Sequence, residues 1–299
     1  MSKLKKCLYL IDLLSRRGPM TLKEINEHYS YSSIYDGEII PRTFARYKDY
    51  IAETFPCSIA YNPATREYYL KRERTFGDDD SLYKYLLSAY HIEGMTELAM
   101  KHRDRIKLMD APTGVEKVQA ILEAIDKGKG ITCDYYSFNK QTKKPQLLIP
   151  YFLKTWEQRW YLVAEPDNRH HGLSVFALER MEDIHVTEQR MKPSNAVTID
   201  EYFDGSFGVN HSDGQRPIRM RLKVYKTQVE YVRALPIHES QVEVERQEEY
   251  SVFEYRIVPC YNLYQQLLWH REKLEILEPT EMRDKMKDII REMAERYED

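Results

Sequence analysis

Apolar positions in the first seventeen residues recur three or four apart, at Leu4, Leu8, Ile11 and Leu14, and stop at Gly18-Pro19. That period predicts an amphipathic helix over residues 3–16. Thr21-Leu22-Lys23-Glu24 has the form of a capping box, in which hydroxyl and carboxylate satisfy each other's backbone amides, and predicts a second helix over about 21–29. A polar stretch from Ser30 to Glu38 follows. Pro41, suited to a first helical turn, then opens a third helix with Phe44, Tyr47, Ile51 and Phe55 as its buried stripe. Two β-prone runs, Cys57–Tyr61 and Tyr68–Leu70, flank the turn-forming segment Asn62–Glu67 and predict a hairpin.

Three helices followed by a hairpin is the outline of a winged helix-turn-helix, whose third helix lies in the major groove of DNA. Residues 1–75 are assigned that fold. The stripe of the third helix leaves Arg42, Thr43, Arg46 and Tyr50 on its other side, where they can meet phosphates and base edges, and Arg66 at the hairpin tip can meet a flanking phosphate. The same arginines also suit an ordinary solvated surface, and Asp49 and Glu53 on the same helix oppose phosphate. Charge tips the balance modestly. Residues 1–75 carry 13 basic against 9 acidic residues, while the other 224 carry 32 against 39, so only the first segment has the sign to meet a polyanion.

Beyond the hairpin, Asp78-Asp79-Asp80-Ser81 reads as a helix cap rather than a metal site, with a helix over about 81–92. Val115, Val118, Ile121, Leu122 and Ile125 mark another helix, ended by Gly128-Lys129-Gly130. Residues 76–130 therefore form a helical linker. Residues 131–187 turn to β texture, with four strand candidates at 131–135, 147–151, 159–164 and 173–178, as in a small barrel. In the third, alternation puts Trp160, Leu162 and Ala164 toward a core and Arg159, Tyr161 and Val163 on the opposite face.

The segment Gln158-Arg159-Trp160-Tyr161-Leu162-Val163-Ala164 resembles the signature of the WYL-domain family of bacterial transcriptional regulators. Tyr135-Tyr136-Ser137-Phe138, Ile149-Pro150, Phe176–Met181, Tyr202-Phe203, Ser206-Phe207-Gly208 and Pro236–Gln241 agree in order with the rest of that family's chain. Many members have an arginine before the strand leading to Ile149, where this chain has Lys143, Lys144 and Gln146. The resemblance implies an Sm-like or SH3-like barrel over residues 131–205 that senses a nucleic-acid or nucleotide-like ligand and switches an attached effector. Stacking a base and holding a phosphate require aromatic planes beside cations. Tyr135, Ser137, Lys154, Arg159, Tyr161 and Arg180 are the candidates for that site.

Residues 206–299 alternate strongly at Arg219–Val224, Val242–Glu245 and Val252–Val258. Helical segments at 228–233 and 262–268, a strand at 273–277, and a last helix with the stripe Met282, Met286, Ile289, Met293, Tyr297 complete a small α/β sandwich. That stripe suits either its own sheet or a partner subunit, and His238 suits a structural or interface role. The fold class is thus α+β and multidomain.

Composition narrows the function. With 42% hydrophobic and 31% charged residues the chain is neither disordered nor fibrous. No apolar run is long enough to span a membrane, and the N-terminus has no secretory h-region. Four cysteines, each at least fifty residues from the next, support neither a zinc site nor a redox pair and suit free thiols in a reducing cytoplasm. Phosphate loops, nucleophile elbows and zinc-protease helices are absent, so neither an enzyme nor a cofactor is expected. The expectation is a cytoplasmic, homodimeric regulator that binds a double-stranded DNA operator and answers to a nucleotide or single-stranded nucleic acid. The alternative is a single-strand-binding accessory of a defence or repair system.

Overall fold

A computed structural model describes residues 3–32, 34–72, 85, 87–90, 92, 99–107, 112–167, 172–191, 193–194, 196–209 and 216–298. The chain divides into two compact units, Met1–Met109 and Asp110–Asp299. The first unit has helices α1 (Lys3–Arg17), α2 (Leu22–Ser30) and α3 (Pro41–Thr54), then the antiparallel hairpin β1 (Cys57–Asn62) and β2 (Glu67–Arg72). Thr21 and Glu24 form the expected capping box, and Pro41 occupies the first turn of α3. Leu10, Ile11, Ile25, Tyr29, Phe44 and Ile51 make a closed core. Each such side chain contributes about 1.5–3 kcal/mol on burial.

Polar side chains fix the long connection between α2 and α3. Asn26 both donates to the Ile39 carbonyl and accepts from its amide, at 3.0 and 2.8 Å. The buried Tyr29 hydroxyl donates to the Ile34 carbonyl (2.9 Å) and Asp36 (2.8 Å), and Lys6 pairs with Asp36 at 2.6 Å. Met20 and Tyr68 exchange backbone hydrogen bonds, tying the hairpin to the α1–α2 turn. Residues 87–90 are helical, with Leu87 and Tyr90 packed on this core; the expected cap at Asp78–Ser81 lies outside the described residues.

The second unit begins with α4 (Val115–Asp126) against a five-stranded antiparallel sheet. Its strands are β3 (Lys129–Ser137), β4 (Thr142–Trp156), β5 (Arg159–Pro166), β6 (Ser174–Ala177) and β7 (Met181–Arg190), paired in the order β6-β5-β4-β3-β7. Four strands are expected from the sequence, and β7 is the additional one. It is an edge strand with two register shifts against β3, and Met181 is its one fully buried residue, so no alternation advertises it. Ile121, Ile131, Leu148, Leu162 and Leu178 form the core beneath α4. A short helix α5 (Ile199–Phe203), opened by a second capping box at Thr198 and Glu201, leads out of this sheet.

The remaining elements are β8 (Ile218–Tyr225), α6 (Lys226–Ala234), β9 (Val242–Arg246), β10 (Tyr250–Ile257), α7 (Tyr261–Trp269), β11 (Leu274–Glu278) and α8 (Thr280–Glu295). The sheet order is β11-β8-β10-β9. The valines of edge strand β9 face outward, while Glu243 turns to the other face, where it meets Arg233 of α6 and Ser251 of β10. The apolar stripe of α8 is covered only at its start: Met282 is buried and Met286 packs on the core, but Met293 and Tyr297 are exposed. All four cysteines are free, and Cys7, Cys57 and Cys133 are buried. Among the described residues no helix is long and apolar enough to cross a membrane, and no cluster of His, Cys, Asp and Glu is arranged to hold a metal ion.

Candidate nucleic-acid and ligand sites

In the first unit, α3 buries Phe44, Tyr47 and Ile51 and exposes Arg42 and Arg46, one turn apart on its other side. Neither arginine pairs with a carboxylate among the described residues. Thr43, between them in sequence and the core, is half-buried. Tyr68 of the hairpin packs edge-on against Phe44 at 4.8 Å, and Lys48 lies 5.4 Å from the Tyr68 ring, so α3 and hairpin share one support. Arg66 is exposed in the hairpin turn with φ 60°. Tyr50 departs from expectation. It packs against the core, and the Lys3 ammonium sits 3.9 Å from its ring, because the start of α1 passes over that position. Of the expected contact residues, Arg42, Arg46 and Arg66 are exposed, with Thr43 at the margin.

The six residues expected at the barrel site do not all converge. Tyr135, on β3, stands edge-on to Phe176 at 5.0 Å, and its hydroxyl accepts the Ala177 amide at 3.4 Å. Burial pushes its phenol up, with the Arg180 charge pulling the other way. The Arg180 guanidinium lies 4.3 Å from the Phe138 ring and 5.8 Å from that of Tyr135, a cation stacked on aromatic faces. Arg159, half-exposed at the start of β5, comes to the same place through Glu179, whose Oε1 is 3.7 Å from Arg159 and 3.8 Å from Arg180. Tyr161 is two residues along β5 and pairs across to Ala177 of β6. Tyr135, Arg159, Tyr161 and Arg180 thus belong to one neighbourhood, together with Phe138 and Glu179.

Two candidates lie elsewhere. The Ser137 hydroxyl accepts the Lys140 amide at 3.4 Å and serves the β3–β4 turn. Lys154 pairs across β4–β5 with Tyr161, but its ammonium is 3.8 Å from the Phe203 ring, turned to the segment leaving the sheet. Val163, which alternation puts on the same face of β5 as Arg159 and Tyr161, is 1% exposed. The outer face of β5 is covered from that point. Glu165 is buried and accepts from the Tyr151 hydroxyl and the Ser194 amide, both at 2.9 Å, as the chain after β7 returns over the strand. Trp160 packs partly buried against the core, on the side expected.

The segment preceding α4 is fastened to this cluster. Thr113 donates its amide to the Gln158 carbonyl (3.0 Å) and accepts from the Trp160 amide (3.2 Å), so it brackets Arg159. Gly114, with φ 86°, lies against the short turn Leu178–Arg180 so closely that a Cβ there would fall 2.6 Å from that of Leu178. Lys117 of α4 donates to the Leu178 carbonyl at 2.9 Å. Residues 113–117 thus lie against the backbone segments that carry both arginines.

A seam joins this sheet to the following one. Trp156 packs edge-on against Phe207 at 5.0 Å; Asp204 takes two hydrogen bonds from Arg256; the Val258 amide donates to the Gly205 carbonyl at 2.7 Å. The loop Pro236–Gln241 sits beside it. Ser240 bonds both the amide and carbonyl of Arg256, and His238 Nδ1 is 2.7 Å from the Ser240 hydroxyl, its imidazole held by burial below the ordinary value.

A search of the curated proteins gives no match to the chain. Among solved structures it is similar to proteasome accessory factor B/C (PafBC) of Arthrobacter aurescens, with 16% identity and a TM-score of 0.35 over 95% of this chain. The chain spans 45% of that protein's length. It is also similar to a CRISPR Cas-related protein, with 13% identity and a TM-score of 0.42 over 99% of this chain and 84% of that one. Residues 116–186 match the WYL domain and residues 216–294 the WCX domain, so the cluster around Arg159 and Arg180 lies in a WYL domain and the sheet beyond the seam is a WCX domain.

Proposed function

We propose that the protein is a DNA-binding transcriptional regulator whose WYL domain senses a phosphate-bearing nucleotide or single strand. The first unit acts as a winged helix-turn-helix, with α3 in the major groove, Arg42, Thr43 and Arg46 on phosphates and base edges, and Arg66 on a flanking phosphate. The WYL sheet acts as an Sm-like barrel, and its aromatic–guanidinium cluster holds the ligand. The protein works as a cytoplasmic homodimer on a two-fold operator and carries no catalytic step. What chiefly supports this reading is one chain's combination of a third helix displaying two exposed arginines that meet no carboxylate among the described residues and a WYL domain whose arginines flank Thr113. A ligand shifts operator affinity only by its differential affinity for the two arrangements of the dimer.

The test is selection of bound duplexes from a random pool, followed by salt titration of the selected duplex. Arg42→Ala with Arg46→Ala should weaken binding and lower the slope of log affinity against log salt by about one to two, as each lost phosphate contact removes roughly one released counterion. Unchanged affinity and slope would overturn the assignment of α3. Selection of generic single strands instead of a two-fold duplex would favour an accessory of a defence or repair system.

A further inference from the structure

The ligand cluster contains one group of the sign opposite to that of its arginines. Glu179 stands on the turn Leu178–Arg180, with one carboxylate oxygen at 3.7 Å from Arg159 and 3.8 Å from Arg180. Charge-assisted hydrogen bonds between guanidinium and carboxylate close to about 2.7–2.9 Å. Both separations are longer by roughly an ångström, and the polar atoms show the consequence: Glu179 Oε2 and Arg180 Nε are buried with no hydrogen-bond partner among the described residues. The carboxylate therefore balances two guanidiniums without satisfying them. A phosphate, with more oxygens and a tetrahedral spread, satisfies two guanidiniums where this carboxylate does not.

We propose that Glu179 is an internal substitute for the ligand's phosphate. It holds Arg159 and Arg180 together in the ligand-free WYL domain and is displaced when the phosphate of a nucleotide or single strand takes their hydrogen bonds. This inference rests on the cluster being the ligand site. It gives the site a threshold: a simple anion must displace the carboxylate on charge alone, whereas a ligand that also stacks on Phe138 or Tyr161 has a second source of affinity. It also gives the site an output. Displacing Glu179 moves the turn on which it stands, and that turn already bears on Gly114, whose missing Cβ would lie 3.2 Å from the Glu179 amide. The bracket of Thr113 around Arg159 carries the same motion to the linker.

The experiment is fluorescence anisotropy on the full chain with a labelled oligodeoxythymidylate, for the natural protein, Glu179→Gln, Glu179→Ala, Glu179→Asp, and Arg159→Ala with Arg180→Ala. The expected result is binding that is five- to tenfold tighter in Glu179→Gln and Glu179→Ala, near-natural in Glu179→Asp, and lost in the double arginine variant. Two glutamate variants guard against one that fails to fold. Competition with 5′-AMP separates the two sources of phosphate, since it displaces the probe only where a mononucleotide suffices. If binding depends on the arginines but neither neutral variant binds more tightly, the substitute role of Glu179 is overturned and the ligand site stands. If the double arginine variant binds as well as the natural protein, or no version binds, the ligand site itself is overturned and the role of Glu179 falls with it.

Discussion

His270 caps the C-terminus of α7 beside the exposed Trp269, and both its ring nitrogens are buried without a hydrogen bond among the described residues. Burial holds its imidazole below the ordinary value of 6.5. The unfolded chain therefore takes up a proton first as the pH falls through about 6.5, and stability is lost from there downward toward the folded-state value. Replacing an unsatisfied buried group by an apolar one of similar size removes a desolvation penalty of about 1–3 kcal/mol. His270→Leu should accordingly be more stable than the natural protein by about 1 kcal/mol at pH 7.5, and should lose less on acidification to pH 5.5, as measured by urea midpoints. His238 has the same sign of shift, so the variant retains part of the acid sensitivity. At this scale the sequence is readable where a residue's role follows from type and period, as for Phe44, Ile51 or the Thr21–Glu24 box. It is silent where the role follows from which way a side chain turns. Glu179 is legible only as an acid next to a base, and nothing in its spacing reveals that it stands between two arginines twenty-one positions apart in the chain. Tyr50 has the period of an exposed position and is claimed by Lys3 of another helix.

Elements were legible according to how sharply one face differs from the other. Helix α3 and strand β8 alternate cleanly and match their expected spans. Strand β7 does not, because an edge strand with one buried anchor and register shifts can be built from polar residues. The extent of β4, fifteen residues with a shift between Pro150 and Phe152, was hidden for a related reason: a bulge changes which residues face inward midway along the strand. The short turn Leu178–Arg180 and the residues abutting it behave as one element. Gly→Ala substitutions commonly stabilise by about 0.4–1 kcal/mol through the unfolded chain. At Gly114 the left-handed backbone and the 2.6 Å approach to Leu178 outweigh that gain. Gly114→Ala should lower stability by about 2 kcal/mol, seen as a reduced thermal midpoint, and a variant as stable as the natural protein would show that the linker attachment yields easily.

The molecule as a whole divides where neither charge nor turn chemistry alone would place the cut, with the first compact unit reaching Met109 and the second holding both the WYL and WCX domains. The charge asymmetry follows the same division in sense, since the basic surplus lies within the first unit and the acidic surplus beyond it. The seam through Trp156, Phe207 and Arg256 ties the two sheets of the second unit together: each has its own core, and Trp156 of the first packs on the core of the WCX sheet.

The four thiols turn this architecture into a set of clocks. Cys7 and Cys57 lie in the first unit's core, Cys133 inside the WYL sheet, and Cys260 at the seam, where it is less enclosed and reaches the Phe207 carbonyl at 3.5 Å. Burial pushes the Cys7 and Cys133 thiols up to about 11, so alkylation must wait for local opening. Mass spectrometry of iodoacetamide-treated protein over time should find Cys260 modified first, Cys7 and Cys57 at a common rate, and Cys133 at a rate of its own. One rate for all four would mean that the chain breathes as a single body, and a ligand bound at Arg159 would then slow every thiol rather than Cys133 alone.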